Sequence, residues 1–153
     1  MTRFFQRGGA WVLGQSALML LVILLALRSR SVVPRPALKL AGAVLLGLAS
    51  VVGLLGAIAL GRRLTPFPKP SENPRLVQHG IYSFIRHPLY ASVMAAALGW
   101  ALVWQSRPAV FAALALIVFL DLKSRREERW LQEQLPEYSD YMKRVRRFIP
   151  WVY

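Results

Sequence analysis

The sequence predicts an all-α integral membrane protein with about four transmembrane helices and a cytoplasmic helical C-terminal extension. Three observations lead there: 56% of the 153 residues are hydrophobic, the mean hydropathy is +0.40, and the apolar residues gather in four runs with Arg and Lys clustered beside them. A soluble domain this small has too little interior to bury so much apolar surface. Most of its hydrophobic residues therefore face lipid.

The first run, Ala10 to Leu27, follows a basic start that includes Arg3 and Arg7. That beginning resembles a signal peptide, but no small-x-small cleavage pattern follows Leu27; Arg28-Ser29-Arg30 and a second apolar run come instead. A retained first span is expected. The second run, Ala37 to Leu60, carries Gly42, Gly47, Gly53 and Gly56, small residues that let helices approach closely in lipid. After it, Thr65-Pro66-Phe67-Pro68-Lys69-Pro70 forbids helix and reads as an extended connector. Pro88 opens the third run, to Trp104, as a residue suited to the first turn of a helix. Trp104-Gln105-Ser106-Arg107-Pro108 then makes a tight turn, so the last two runs form an antiparallel hairpin. The first three runs read as spans of a hydrocarbon core about 30 Å thick, at a helical rise of about 1.5 Å per residue. The fourth, Pro108 to Leu120, is short, and one helix continuing past Asp121 to Leu135 accounts for it. The organisation expected is an N-terminal hairpin, residues 1–64, and a region of two spans and a basic tail, residues 65–153.

A net charge of +13 would suggest nucleic acid in a soluble protein. Here the cations sit beside apolar runs, which suits anionic lipid headgroups; the lipid bilayer is the expected partner and nucleic acid is not. The segment from Arg62 to Arg86 and the tail after Asp121 hold most of the Lys and Arg, so both are expected in the cytoplasm. The connector with Arg28, Arg30, Arg35 and Lys39 dissents from that count. The compartment expected is a bacterial inner membrane. Cysteine is absent, which excludes disulfides, thiolate nucleophiles and cysteine-bound metals, and with only His79 and His87 as imidazoles no metal site is expected. The first three spans hold no Asp or Glu, which argues against a proton-coupled transporter.

Chemistry concentrates between Leu76 and Tyr90. Arg86 and His87 precede the helix-opening Pro88, where cations oppose the helix dipole, so an anionic group is expected between them and the free backbone N–H groups. Tyr82 and Tyr90 lie beside them as interfacial aromatics. The plainer reading makes Arg86 a membrane-border cation and His87 a loop residue. A second cluster, Lys123 to Arg129, contains Glu127 and Glu128, which point about 100° apart on a helix. One is expected to face inward and one outward, while a bare charge run of this kind ordinarily forms a solvated, ion-paired face.

These residues give the C-terminal half a resemblance to the isoprenylcysteine carboxyl methyltransferase family and its phospholipid-methyltransferase relatives. The matching elements are Leu76-Val77, Gly80-Ile81-Tyr82, Arg86-His87-Pro88-Leu89-Tyr90, Glu127-Glu128 with Leu131, Tyr138 with Tyr141, and Arg144-Val145 before Arg147-Phe148-Ile149-Pro150. Their order and spacing are specific, and they cover about residues 65 to 153. The resemblance implies a membrane methyltransferase using S-adenosylmethionine, with Leu76, Val77, Tyr82, Arg86, His87, Pro88, Leu89, Tyr90, Glu127 and Glu128 around the cofactor. Lys123 would bind the substrate, and a lipophilic acceptor would enter from the bilayer. Methyl transfer by direct displacement needs positioning rather than a covalent catalytic residue, and none is assigned. The family often has Phe-Gly where Leu135-Pro136 stands, and Lys123 replaces a more usual arginine, losing the planar bidentate grip on a carboxylate. Competing readings are a sterol-reductase-like enzyme using NADPH and a non-catalytic membrane protein.

Overall fold

Every apolar run forms one helix. The computed structural model describes residues 3–6, 8–29, 35–67 and 76–153. It contains α1 (Arg3–Gln6), α2 (Gly9–Arg28), α3 (Pro36–Leu60), α4 (Pro88–Val103), α5 (Arg107–Gln134) and α6 (Tyr138–Arg144), with 3-10 turns at Gly61–Arg63 and Gly80–Ser83. Proline stands in the first turn of α3, α4 and α5, where its missing N–H costs no hydrogen bond. Ser106 caps α5 by accepting from the Ala109 N–H at 3.2 Å. As expected, α5 runs through Asp121 without interruption and carries its charged half out to Gln134, after which Leu135 and Pro136 end it.

Two helices, α2 and the stretch from α3 to Arg63, have the length and composition of a membrane span. The other two of the expected four fall short of that measure. At 16 residues, α4 is about 24 Å long against a core of about 30 Å, and α5 is apolar over only its first half. Of the proline connector, Thr65 to Phe67 is non-helical as expected, while Pro68, Lys69 and Pro70 lie outside the described residues. So do residues 30–34 of the basic link between α2 and α3.

Side-chain contacts fix which helix ends lie together. Ser29 Oγ is 2.6 Å from Ser106 Oγ; the Arg35 N–H donates to Gln105 Oε1 at 3.0 Å and Gln105 Nε2 donates back to the Arg35 carbonyl at 3.0 Å. The end of α2, the start of α3 and the α4–α5 turn therefore share one end of the bundle. The start of α2, the end of α3, the start of α4 and the charged half of α5 share the other. The described ends of the dissenting basic link, at Ser29 and Arg35, thus lie at the end of the bundle opposite Arg62, Arg63 and Arg86.

Between these ends the helices pack through small residues. A Cβ on Gly42 would sit 2.7 Å from the Gly99 carbonyl oxygen, and one on Gly99 would sit 2.9 Å from that of Gly42, so α3 and α4 touch backbone to backbone. Gly53 and Gly56 also face α4, against Ser92 and against Pro88 and Leu89, whereas Gly47 has nothing within 4 Å and takes no part. Val22, Met94, Ala97, Ala113, Leu116 and Leu120 form the central cluster of α2, α4 and α5. In lipid their gain is dispersion from close packing rather than removal from water. The outer face of α3, with Leu40, Leu54 and Ile58, stays exposed, as a lipid-facing surface does.

The charged end is closed by the chain's last segment. Leu135, Tyr138, Tyr141 and Val145 form a second cluster around α6. From there the backbone runs beside the segment entering α4: the Arg86 N–H donates to the Arg146 carbonyl at 2.8 Å and the His87 N–H to that of Arg147 at 3.0 Å. An isolated parallel bridge pairs Ile85 with Arg146. No strand forms among the described residues.

Candidate functional site

The shared charged end encloses a cavity of about 160 Å³ between the turn after α3, the start of α4, the outer half of α5 and α6. Leu76, Val77, Tyr82, Arg86, His87, Leu89, Tyr90 and Glu127 line it, with Leu60, Arg63, Thr65, Leu131, Tyr138 and Tyr141. Three residues expected at the site do not line it: Pro88, Glu128 and Lys123. Pro88 is buried at the start of α4 and shapes the cavity through the turn it opens.

The adjacent glutamates divide the chemistry, though both point inward, contrary to the expectation of one inward and one outward. Glu127 faces the cavity, where its Oε2 accepts from the Tyr90 hydroxyl at 2.6 Å. Burial raises the Glu127 carboxyl above the ordinary carboxylate value, against the opposing pull of His87, Tyr90 and Lys123. Glu128 turns away from the cavity into a nest of cations. Its Oε1 accepts from Arg86 Nε at 2.8 Å and lies 3.2 Å from His87 Nε2, and its Oε2 accepts from Arg147 at 2.7 Å. Burial alone would raise this carboxyl, but the hydrogen bonds from His87, Arg147 and Arg86 prevail and hold it at about 2. The anion expected at Arg86 and His87 is therefore the protein's own Glu128 carboxylate. Among the described residues, the i to i+4 pairing expected of a solvated face survives only between Asp121 and Arg125.

Arg86 is fixed further by donating through one guanidinium nitrogen to the carbonyls of Met142 and Val145. His87 stacks on Tyr90, ring centroids 5.3 Å apart and planes 5° from parallel, which aims the Tyr90 hydroxyl at Glu127. Across the cavity, the Tyr141 hydroxyl donates to the Tyr82 carbonyl at 2.6 Å. Burial, and then nearby glutamate charge, pushes the Tyr82 and Tyr138 hydroxyls up, so both remain neutral donors.

Lys123 is almost wholly buried beside the site. Its ammonium donates to Gln15 Oε1 at 2.7 Å and to the Pro66 carbonyl at 3.1 Å, and lies 5.1 Å from the centre of the Tyr90 ring. It thus ties α2 and the connector to α5 directly behind Tyr90. Sequence reasoning missed Leu60, Arg63 and Thr65 and did not assign Leu131, Tyr138 and Tyr141 to the site; Arg63 is the charged one among these six. Its sequence signal, a basic pair closing an apolar run, is that of any membrane border. Among the described residues, no three His, Asp or Glu side chains converge in a way that would hold a metal ion.

A family model described as phospholipid methyltransferase matches residues 38–137. The chain belongs to that family. The match begins in α3 and ends just before α6, so it takes in the α3–α4 contact, the cavity's entry segment and both glutamates. Two curated relatives are similar over about the same length. The cobalt-zinc-cadmium resistance protein CzcN of Cupriavidus metallidurans is 38% identical over 81 residues, 52% of this chain and 37% of its own length. The nickel-cobalt-cadmium resistance protein NccN of Alcaligenes xylosoxydans xylosoxydans is 32% identical over 80 residues, 52% of this chain and 38% of its own. The match thus takes in well under half the length of each. Membership makes the chain a member of a membrane methyltransferase family, and two span-length helices agree with that setting.

Proposed function

We propose that the protein uses S-adenosylmethionine to methylate a lipophilic acceptor at the membrane, a carboxylate in preference to an amine. One observation carries the reading: a cavity that sets a single cavity-facing carboxylate, Glu127, among apolar and aromatic walls, with Arg63 also on the lining. That donor set matches a ligand with an aromatic base, hydroxyls, an ammonium and a carboxylate. Leu76, Val77 and Leu89 offer apolar contact for the base; Glu127 would accept from the ammonium or the ribose hydroxyls, and Arg63 would meet the carboxylate. Bound there, the cofactor would supply an electrophilic methyl group on a sulfonium.

The chain's own part is to orient and to exclude water. Tyr90, held by His87 on one side and above Lys123 on the other, keeps Glu127 turned to the cavity. Lys123 supplies positive charge behind the site, which favours an anionic acceptor; a carboxylate needs no general base. Access from lipid is supported by an apolar cleft of about 320 Å³ between α2, α3 and α4, lined by Val22, Leu46, Val93 and Trp100 among others. Val93 lies one turn beyond Leu89 of the cofactor cavity, and the buried Trp100 Nε1, in the cleft wall, has no hydrogen-bond partner among the described residues.

In this reading all four long helices cross the membrane, α4 and the apolar half of α5 doing so as a hairpin, with the site on the cytoplasmic side of a bacterial inner membrane. The names of the relatives suggest metal stress as the setting. Equilibrium binding of S-adenosylmethionine to the detergent-solubilised protein, with NADPH as competitor, tests the proposal. Micromolar binding, weakened by Glu127→Gln and indifferent to NADPH and to substitution of the exposed Glu133, is the expected result. Absence of binding in folded protein, or displacement by NADPH, overturns it.

A further inference from the structure

A second pocket, of about 230 Å³, opens on the outer side of the C-terminal segment, away from the cofactor cavity. Its lining is Ser83, Phe84, Lys143, Arg144, Arg146, Pro150 and Trp151: three cations and no carboxylate. The cations are unequally engaged. Lys143 pairs with the exposed Asp140 at 2.8 Å, a contact worth little in water, and Arg144 reaches Gln78 at 3.3 Å. The Arg146 side chain makes no hydrogen bond or ion pair among the described residues; its backbone carbonyl alone is used, by Arg86. Three like charges converge and only the exposed Asp140, on Lys143, offsets them, so the pocket suits an anion.

Its rim is apolar and exposed. Phe84 is 58% exposed, Ile149 54% and Trp151 85%. Trp151 also stands at φ +62°, in the left-handed region that a bulky side chain seldom adopts. The turn that imposes this is closed by the N–H groups of Phe148 and Ile149 donating to the Tyr153 carbonyl, each at 2.7 Å. An indole held outward by such a turn has no packing reason inside the chain. The level of the rim is also defined: Gly80, in the turn that leads to Phe84, lies against Ala59 at the very end of α3, with a built Cβ 3.8 Å from that of Ala59. That is where an apolar, span-length helix gives way to Arg62 and Arg63, the height of lipid headgroups.

We propose that this pocket binds the phosphodiester headgroup of an anionic membrane lipid, with Lys143, Arg144 and Arg146 around the phosphate and Phe84 and Trp151 inserted beside the acyl chains. Tryptophan suits that level because its ring is apolar and its N–H is not. The site is distinct from the methyl-transfer cavity and does not depend on the reaction proposed for it.

The test is tryptophan quenching in the full-length protein reconstituted in phosphatidylcholine bilayers, with Trp151→Phe measured alongside to isolate the Trp151 signal. Brominated phosphatidylglycerol should quench Trp151 in preference to brominated phosphatidylcholine at equal bromine content, by roughly fivefold, the worth of one well-placed basic residue at an anionic surface. Lys143→Gln with Arg146→Gln should abolish the preference while leaving the thermal melting of the reconstituted protein unchanged as the measure of folding. Equal quenching by both lipids would make Trp151 an unselective interfacial anchor and overturn the headgroup site. No quenching by either would place the patch in water and overturn it too. If inorganic phosphate removes the preference and chloride of equal ionic strength does not, the pocket reads free phosphate, and the lipid assignment fails.

Discussion

Glu127 and Glu128 are neighbours on one helix, yet they stand in opposite electrostatic settings. Glu128 is gripped by Arg86, His87 and Arg147 and sits at about 2, a carboxylate at any ordinary pH. Glu127 accepts a hydrogen bond from Tyr90, and burial pushes its carboxyl upward. The first is saturated by the fold and holds three chain segments together. The second keeps bonding capacity for something the fold does not supply. One side of the α5 extension is structure and the adjacent side is site.

The largest effect should come from removing the saturated member. Glu128→Ala leaves Arg86 and Arg147 facing each other across a buried gap, and a broken pair of this kind costs about 3–5 kcal/mol; unfolding in detergent, followed by denaturant titration, reads it. Acid acts on the same group. Its folded value lies below the ordinary 4.5, so its stabilisation is present in full above that value. The loss should develop as pH falls from about 4.5 towards about 2. Glu127 carries the opposite sign: its raised value means that stability from the neutral form is lost as pH rises through the folded value, while affinity for a cationic ligand grows over the same range. A pH series that separates melting from S-adenosylmethionine binding checks both.

Glu127→Gln should leave stability unchanged or slightly higher and weaken cofactor binding by about 1–3 kcal/mol, the worth of a charged hydrogen bond. Calorimetry and thermal melting on one sample decide it. A variant that melts early instead would put Glu127 on the structural side and erase the contrast. Tyr90→Phe removes only the hydroxyl that orients Glu127 and should cost about 0.5–1.5 kcal/mol of cofactor affinity. Glu133→Ala, on the exposed side of the same helix, should alter neither quantity.

The helices were legible because hydropathy and proline are local signals: Pro88 opens α4 and Pro108 stands in the first turn of α5, and α5 continues through its charges as one rod. The entry segment was legible too, since Leu76, Val77, Tyr82, His87 and Tyr90 recur in a spaced motif and meet at one cavity. The roles of the two glutamates were not. A rotation of about 100° separates them, but the fold decides which one is neutralised, by bringing Arg86 and His87, more than 40 residues earlier, and Arg147, 19 residues on, to Glu128. Lys123 illustrates the same limit, because its partner Gln15 is 108 residues away and looks like an ordinary polar interruption of an apolar run. Span count is legible only in part, since α4 is shorter than a bilayer core and α5 is apolar over only its first half.

The backbone bonds from Arg86 and His87 to Arg146 and Arg147 bear on how the protein is made. Arg86 waits for a segment synthesised 59 residues later before its guanidinium finds the Val145 carbonyl. Helices that enter the bilayer in turn during synthesis would have completed their mutual packing before that segment exists. A nascent chain that had not yet reached α6 would lack Tyr138 and Tyr141 of the cavity wall and the backbone partners of Arg86 and His87, so its cavity would be unfinished.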